Sequence, residues 1–224
     1  MRATAADLQV SPVRITLDPQ NPSAVMTLSN RGGSDTLLQL SVMAWSQGPR
    51  GDILEPTRDV LANPGVFLLK AGDQQVARFA LRVSPDVKER SYRIVVQEVP
   101  RQRVENGLAT VLRLLVPVFV PAPNPVASLE WAARPTKEGV DLQVRNTGNV
   151  HVQIRNVRIG GDAVTSANKV TNIYVLPASA GVIHIAVAGA IKPGTPLRIV
   201  AETDQMSFSA SVKLGAAESV PAQP

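Results

Sequence analysis

The chain has 224 residues, of which 44% are hydrophobic and 18% are charged, so it can bury one large core or the cores of two domains. Its 23 lysines and arginines outnumber 18 acidic residues, but they are scattered and lack the aromatic stacking residues of an RNA-binding sheet, which argues against a nucleic-acid partner. The absence of cysteine excludes disulfides, thiolate metal sites and cysteine nucleophiles.

The N-terminus carries a pattern typical of export. Ala3-Thr4-Ala5 matches the small residues found before a signal-peptidase cut, and no apolar segment precedes it. This favours a mature exported protein whose signal sequence has been removed. An ordinary alanine-rich terminus explains the same residues equally well.

Strand periodicity dominates the chain, because apolar and polar residues alternate in many short segments and helical spacing is nearly absent. In chain order, the clearest apolar stripes are Val13, Ile15 and Leu17 around Arg14; Leu38, Leu40, Val42 and Ala44; Phe79, Leu81 and Val83; Val140, Leu142 and Val144; and Phe208, Ala210, Val212 and Leu214.

One stripe changes phase. It starts at Val150, breaks after Ile154 and resumes one residue out of step at Val157. A one-residue slip would turn every later side chain to the opposite face of the sheet. We therefore predict a β-bulge near Arg155 and Asn156.

Glycine, proline, asparagine and aspartate separate these stripes at short intervals, which is typical of β-sandwiches. The prolines of "PAPNPV", Pro121–Val126, cannot continue a strand and predict an extended connector. We predict an all-β protein of two immunoglobulin-like β-sandwich domains. Residues 7–120 form the first domain, 121–125 the linker, 126–214 the second domain and 215–224 a flexible tail.

The residues offer little enzyme chemistry. The two histidines, His151 and His184, lie on alternating strands where both are expected to face outward, and neither has the spacing of a metal site. There is no G-x-S-x-G elbow, P-loop or G-x-G-x-x-G. A Ser-His-Asp triad assembled from distant residues stays open. We predict no catalytic residue, no metal and no cofactor.

The longest apolar run, "LATVLRLLVPVFVP" (Leu108–Pro121), is interrupted by one cation, Arg113. It is too short for a membrane-spanning helix and reads as a long strand that is apolar on both faces. Such a strand is either central in a sheet or lies at an edge that receives a partner.

Two arginines stand on terminal strands of the first domain. Arg14 and Arg113 each interrupt an apolar stripe. Either one alone is explained by a side chain that extends from the sheet into solvent. Together, next to a proline-rich linker, they could face the cleft between the domains and receive a carboxylate.

The sequence resembles the periplasmic chaperones of pilus and fimbria assembly. The resemblance covers nearly the whole chain after Asp7 and rests on an ordered set of segments: "LQVSPVRITLDPQNPSAVMTLSNRG", "PGVFLLKAGDQQVARF", "KERSYRIVVQEVP", "LATVLRLLVPVFVPAP" and, more loosely, "VRNTGNVHVQIRNV". The lack of cysteines and the "LLVPVFV" ending are similar to the archaic branch of that family.

This resemblance implies a boomerang-shaped pair of immunoglobulin-like domains in the periplasm. Such chaperones bind pilus subunits that lack their last strand, lend them the last strand of the first domain, and deliver them to an outer-membrane usher. The open edge of that strand also predicts self-association of the free protein.

The resemblance further implies two cations that anchor the C-terminal carboxylate of the subunit. Arg14 matches the first by its place in "SPVRITL". Arg113 is the only cation on the last strand and is predicted as the second, although alignment of "VFVP" puts that position nearer Pro117. Glu89 in "KERSYR" matches an acid near the domain interface, and an exposed turn acid is the equal alternative.

The donated side chains follow from the parity of the strand. We favour the set Leu108, Thr110, Leu112 and Leu114. A bulge near Arg113 would exchange it for the set Ala109, Val111, Arg113 and Leu115. The main alternative function is that of a structural two-domain pilus or adhesin component, and a hydrolase on a sandwich scaffold is the third.

Overall fold

The computed structural model describes residues 7–100, 111–161, 164–187 and 191–215, with residues 164–166 described for their backbone only. Ala3–Ala5, Leu108, Thr110 and the predicted tail after Gly215 lie outside the described residues. Every regular element in the described part is a β-strand, and none of its segments is a helix that could cross a membrane. The prediction of an all-β protein is therefore confirmed.

The chain divides into two compact units. The first comprises Met1–Ser46 and Asp52–Pro123, and the second comprises Gln47–Gly51 and Asn124–Pro224.

Among its described residues, the first unit has ten strands in two sheets: β1 (Leu8–Ser11), β2 (Ile15–Thr16), β3 (Ser23–Asn30), β4 (Thr36–Gly48), β5 (Gly51–Pro56), β6 (Val60–Asn63), β7 (Val66–Leu69), β8 (Gln74–Leu81), β9 (Arg90–Glu98) and β10 (Arg113–Val120). One sheet has the order β1-β3-β8-β6. The other has the order β2-β10-β9-β4-β5, with β7 paired to β4. Side chains from both sheets form one core, so the unit is a β-sandwich.

The N-terminal segment does not form the single strand that its stripe predicts. It leaves the first sheet after Ser11 and joins the second sheet at Ile15 for two residues. Ile15 and Leu17 are buried as expected, but Val13 lies in the crossing between the sheets and is exposed.

The part of the second unit that the structure describes has seven strands: β11 (Leu129–Pro135), β12 (Gly139–Asn146), β13 (Val152–Gly161), β14 (Val164–Val175), β15 (Ala180–Ala186), β16 (Pro196–Thr203) and β17 (Ser207–Lys213). Its sheets have the orders β11-β12-β15 and β14-β13-β16-β17, and they share one core. The predicted bulge is confirmed, because the pairing of β13 with both of its neighbours shifts between Ile154 and Asn156.

A buried asparagine fixes the end of β3. The Asn30 side-chain amide donates hydrogen bonds to the carbonyls of Ser34 at 2.8 Å and Leu69 at 3.1 Å, and its Oδ1 accepts from the Gly32 N–H at 3.0 Å. One side chain thus closes the turn and ties it to a distant strand. Its loss would leave buried backbone groups without partners.

The second unit repeats this device at the end of β12. The Asn146 amide donates to the carbonyls of Val150 at 2.7 Å and Val175 at 2.8 Å, and its Oδ1 accepts from the Gly148 N–H at 2.9 Å. The N-x-G pattern therefore marks equivalent turns in two sandwiches.

The turn of the second unit leaves no room for a side chain at its glycine. A Cβ at Gly148 would overlap the Val126 carbonyl oxygen and lie 2.8 Å from the Ser128 nitrogen. At Gly33, in the corresponding turn of the first unit, a Cβ would meet nothing within 4 Å.

Gly148→Ala is expected to destabilise the protein by about 2 kcal/mol or more, because backbone must move to admit the methyl group. Gly33→Ala is the matched control and is expected to change the free energy of unfolding by less than about 0.5 kcal/mol. Urea unfolding followed by circular dichroism measures both. Equal stability of the two variants would contradict this packing argument.

Tyr92 is a buried titratable group in the first core. Its hydroxyl donates to Asp59 Oδ2 at 2.9 Å. Burial, reinforced by the hydrogen bond to the Asp59 carboxylate, raises the pKa of Tyr92 well above its ordinary value. The folded protein therefore holds this hydroxyl neutral at a pH where the unfolded chain ionises it.

Because the folded-state pKa of Tyr92 is raised, its contribution to stability is fully present below about pH 10 and is lost as the pH rises further. Tyr92→Phe is expected to remove that alkaline loss, at a cost of about 1 kcal/mol at neutral pH from the missing hydrogen bond. Urea unfolding of both proteins between about pH 8 and about pH 11 measures the difference. Parallel pH curves would show that Tyr92 does not carry the effect.

Candidate functional site

The last strand of the first unit is central at one end and an edge at the other. β10 pairs with β9 along its whole length, from Arg113 opposite Gln97 to Val120 opposite Arg90. On its other side, β2 pairs only with Val118 and Phe119. Within the described ranges, the segment from Arg113 to Pro117 has no strand on that side. Both predicted alternatives for the apolar run therefore occur in one strand.

The direction of the backbone groups on this edge follows from one hydrogen bond. The Glu98 N–H donates to the Leu112 carbonyl at 2.9 Å, so alternate residues from Leu112 onward direct their backbone groups toward β9. The residues between them, Arg113, Leu115 and Pro117, direct theirs to the open side. Proline contributes only a carbonyl there, because it has no N–H.

The open segment ends at Pro117, because the residues that follow it are paired with β2. The carbonyl of Phe119 already accepts a hydrogen bond from the Leu17 N–H at 2.9 Å. A strand that is added to this edge can therefore pair with β10 only up to Pro117.

The faces of β10 decide which side chains are available to a partner. Leu114 packs against the first core, and Val116 and Val118 are buried within it. Leu115 and Val111, on the opposite face, are 43% and 41% exposed.

The favoured donor set is revised by this packing. Leu114 packs against the protein's own core, and Leu112 lies on the same face of the chain. Leu108 and Thr110 lie outside the described residues. The register of β10 against β9 runs from Arg113 without a shift, so no bulge exchanges the two faces. The geometry therefore favours the alternative donor set, whose described members Val111, Arg113 and Leu115 are exposed on the opposite face.

A row of two arginines and a proline crosses this sheet. Ile15 on β2 pairs with Val118, so Arg14 comes alongside Pro117. On the other side, Pro117 lies opposite Arg93 of β9. Because the neighbouring row, which includes Ile15 and Val118, points into the core, these three residues face away from it.

Arg14 and Arg93 therefore flank Pro117 on one face. Their backbones are two strand spacings apart, about 10 Å, which lets two long side chains converge on one carboxylate. Sequence reasoning missed Arg93, since strand pairing between distant segments brings it next to Pro117. The only local signal was its place in "ERSYRIVVQEVP".

Aromatic packing supports Arg93. Its guanidinium carbon lies 3.5 Å from the centre of the Trp45 ring system, and the Trp45 and Phe119 rings are 6.1 Å apart. A guanidinium nitrogen lies 3.6 Å from Asp52 Oδ2, and the side chain is 12% exposed. Stacking and the nearby carboxylate restrict the orientations of this arginine, so it is pre-organised for an anion.

Arg113 is exposed on the same face but at a different place. It precedes Pro117 by four residues, about 13 Å along the strand. The structure therefore does not bring Arg113 beside Arg14, and the cation next to Pro117 is Arg93.

The remaining predicted residues have different outcomes. Glu89 is 9% exposed, so the interpretation as an exposed turn acid is wrong, and its interdomain role stays a prediction. His184 is exposed as expected, with Nδ1 2.7 Å from Asp141 Oδ1. His151 is buried, contrary to expectation, because it precedes β13 and the alternation of that strand does not extend to it. No cluster of His, Asp or Glu suited to a metal occurs among the described residues.

The family model for the pili and flagellar-assembly chaperone, PapD N-terminal domain, matches residues 7–125. The chain belongs to this family of pilus- and flagellum-assembly chaperones, which confirms the resemblance found in the sequence. No curated protein matches the chain.

Solved structures share the fold over both units. A chain from the CsuC–CsuE chaperone–tip adhesion subunit pre-assembly complex of archaic Csu pili, from Acinetobacter baumannii, has a TM-score of 0.65 and 20% identity, covering 94% of this chain and 99% of that one. The Pseudomonas aeruginosa CupB2 chaperone has a TM-score of 0.57 and 17% identity over 91% and 98%. A chain from the Salmonella enterica SafA pilin–SafB chaperone complex has a TM-score of 0.59 and 17% identity over 91% and 95%.

Proposed function

We propose that this protein is a periplasmic chaperone that binds pilus subunits by donor-strand complementation and delivers them to an outer-membrane usher. The open edge of β10 from Arg113 to Pro117 carries the proposal. It offers unpaired backbone groups to a subunit that lacks a strand. In this function the protein binds and releases its subunit and needs no catalysis, cofactor or metal.

The energetics of this edge favour a protein partner. Unpaired backbone groups on a strand edge are a template for pairing, and they also favour self-association of the free chaperone. Leu115 and Val111 lie beside this edge and expose apolar surface. Burial of one such side chain in a subunit groove contributes about 1.5 to 3 kcal/mol.

The arginine row would fix the register of the subunit strand along β10. Pairing along β10 ends at Pro117, and Arg14 and Arg93 flank the same position. A subunit strand that ends there would place its terminal carboxylate between two guanidinium groups. Each charge-assisted hydrogen bond contributes about 1.5 to 3 kcal/mol. A strand shifted by one residue would lose both contacts and present its other face.

The role of the exposed donor face is tested by Leu115→Glu. In a periplasmic pull-down from the native cell, with mass spectrometry of bound proteins, the wild type is expected to retain a small β-rich subunit. The variant is expected to lose at least about 90% of it, because a buried leucine contact of about 1.5 kcal/mol or more is replaced by a charge.

Leu61→Glu is the matched control, since Leu61 is 48% exposed on the other sheet, and it is expected to retain the subunit. Retention by both variants would rule out the odd-numbered face of β10 as the donor. Absence of any partner, even for the wild type in cells that assemble pili, would favour the structural pilus or adhesin alternative.

The anchor is tested with the subunit recovered in that experiment. Arg14→Ala and Arg93→Ala are each expected to weaken its binding by about tenfold to a hundredfold. Arg113→Ala removes the same charge about 13 Å away on the donor face, outside the anchor, and is expected to weaken binding less than either of these substitutions. Calorimetric titration measures all three, and circular dichroism confirms that each variant is folded.

A second test of the carboxylate anchor uses a subunit that is extended by two residues at its C-terminus. It is expected to bind the wild type weakly and to lose no further affinity with Arg14→Ala, because the shifted carboxylate no longer reaches the row. If Arg113→Ala is the damaging substitution, the anchor lies farther along β10 than proposed.

A further inference from the structure

The last strand of the second unit repeats the half-paired arrangement of β10. β17 pairs with β16 along its whole length. Its other side meets β11 only beyond its end, where Leu214 bridges to Ala133 and the Gly215 N–H donates to the Ala133 carbonyl at 2.8 Å. Among the residues that the structure describes, no other strand pairs with that side.

The outward backbone groups of β17 can be identified. The Leu214 N–H donates to the Thr195 carbonyl at 2.9 Å, so Leu214 and every second residue before it direct their backbone groups toward β16. The residues in between direct theirs to the open side, and their side chains are all exposed: Ser207, Ser209, Ser211 and Lys213.

An arginine lies beside this edge between two hollows. Arg198 of β16 has Ser211 as its ladder partner on β17 and Gly160 on β13. Because both neighbours are small, the exposed guanidinium is not covered. It lines one cavity of about 310 Å³ together with Ser209 and Ser211, and a second of about 540 Å³ together with Gly160.

The charge of this face favours an anion. Arg158, one position away on the same face, is already paired with Glu202. Within the described ranges, Arg198 forms no ion pair with an acidic residue. Lys213, at the end of the open edge, adds a second exposed cation.

We propose that the open edge of β17 binds an extended acidic segment of a partner protein by strand addition, with one acidic side chain held by Arg198. An added strand would lie about 5 Å beyond β17 and about 10 Å from β16. A glutamate on it can meet Arg198 across the short side chain of Ser211, where the Ser209 and Ser211 hydroxyls donate further hydrogen bonds. This site lies in the second unit and does not depend on the function proposed for β10.

The probe is a capped peptide of four Val-Glu repeats, titrated into the isotopically labelled full chain while backbone amide shifts are recorded by NMR. Saturable shifts are expected at Ser207–Lys213. Arg198→Ser is expected to weaken the binding by about fivefold or more through loss of a charge-assisted contact. Arg145→Ser, which removes an exposed arginine from β12 in the other sheet, is the matched control and is expected to bind like the wild type.

Three further peptides separate the contributions of charge and of backbone pairing. Four Val-Lys repeats are expected not to bind. The Val-Glu peptide is also made in two N-methylated forms, methylated either on every valine or on every glutamate, and only one of the two is expected to bind, because alternate N–H groups face opposite edges of a strand. Equal binding of the lysine peptide would overturn the acidic partner, and equal binding of both N-methylated phases would overturn strand addition. If the Val-Glu peptide changes amide shifts only in β10, or changes none, the proposed binding site on β17 is wrong.

Discussion

The short second pairing of the N-terminal segment determines what the first unit can do. The segment begins in one sheet, crosses after Ser11 and contributes only Ile15 and Thr16 to the other. This closes the sandwich at Val118 and Phe119 and leaves the preceding half of β10 without a partner. A longer β2 would have paired that half and removed the edge. The open edge is therefore a consequence of where the first strand changes sheet.

The same crossing positions the charges. Because Arg14 stands directly before β2, it enters the row that contains Pro117, while β9 brings Arg93 into that row from the other side. The Trp45 ring beneath Arg93 makes the second position the more rigid one. Arg14 is exposed, whereas Arg93 is stacked and nearly buried. Because Arg93 is already restricted in orientation, binding of a carboxylate in this row would cost that arginine little further side-chain entropy.

Local periodicity in the sequence predicted which residues of several single strands face a core. The stripes on β4, β12 and β17 face the cores, and the phase change after Ile154 is a bulge. Relations between strands were not predictable in this way. Which face of β10 meets the core, and which cation lies next to Pro117, both depend on register between segments far apart in the sequence. The exposure of Val13 and the burial of His151 are likewise set by where strands begin and end.

The two units show how one arrangement can serve different chemistry. Each has a turn that is closed by a buried asparagine, Asn30 or Asn146. In each, the last strand meets the N-terminal segment of its unit, β2 or β11, only near its end. Beside the open edge of β10, Leu115 presents apolar surface that suits a hydrophobic groove. Beside the open edge of β17 the outward side chains are mainly serines, which bury little apolar area and leave Arg198 accessible. Because backbone pairing would supply a similar attraction at both edges, the side chains of alternate residues would decide which partner each edge selects.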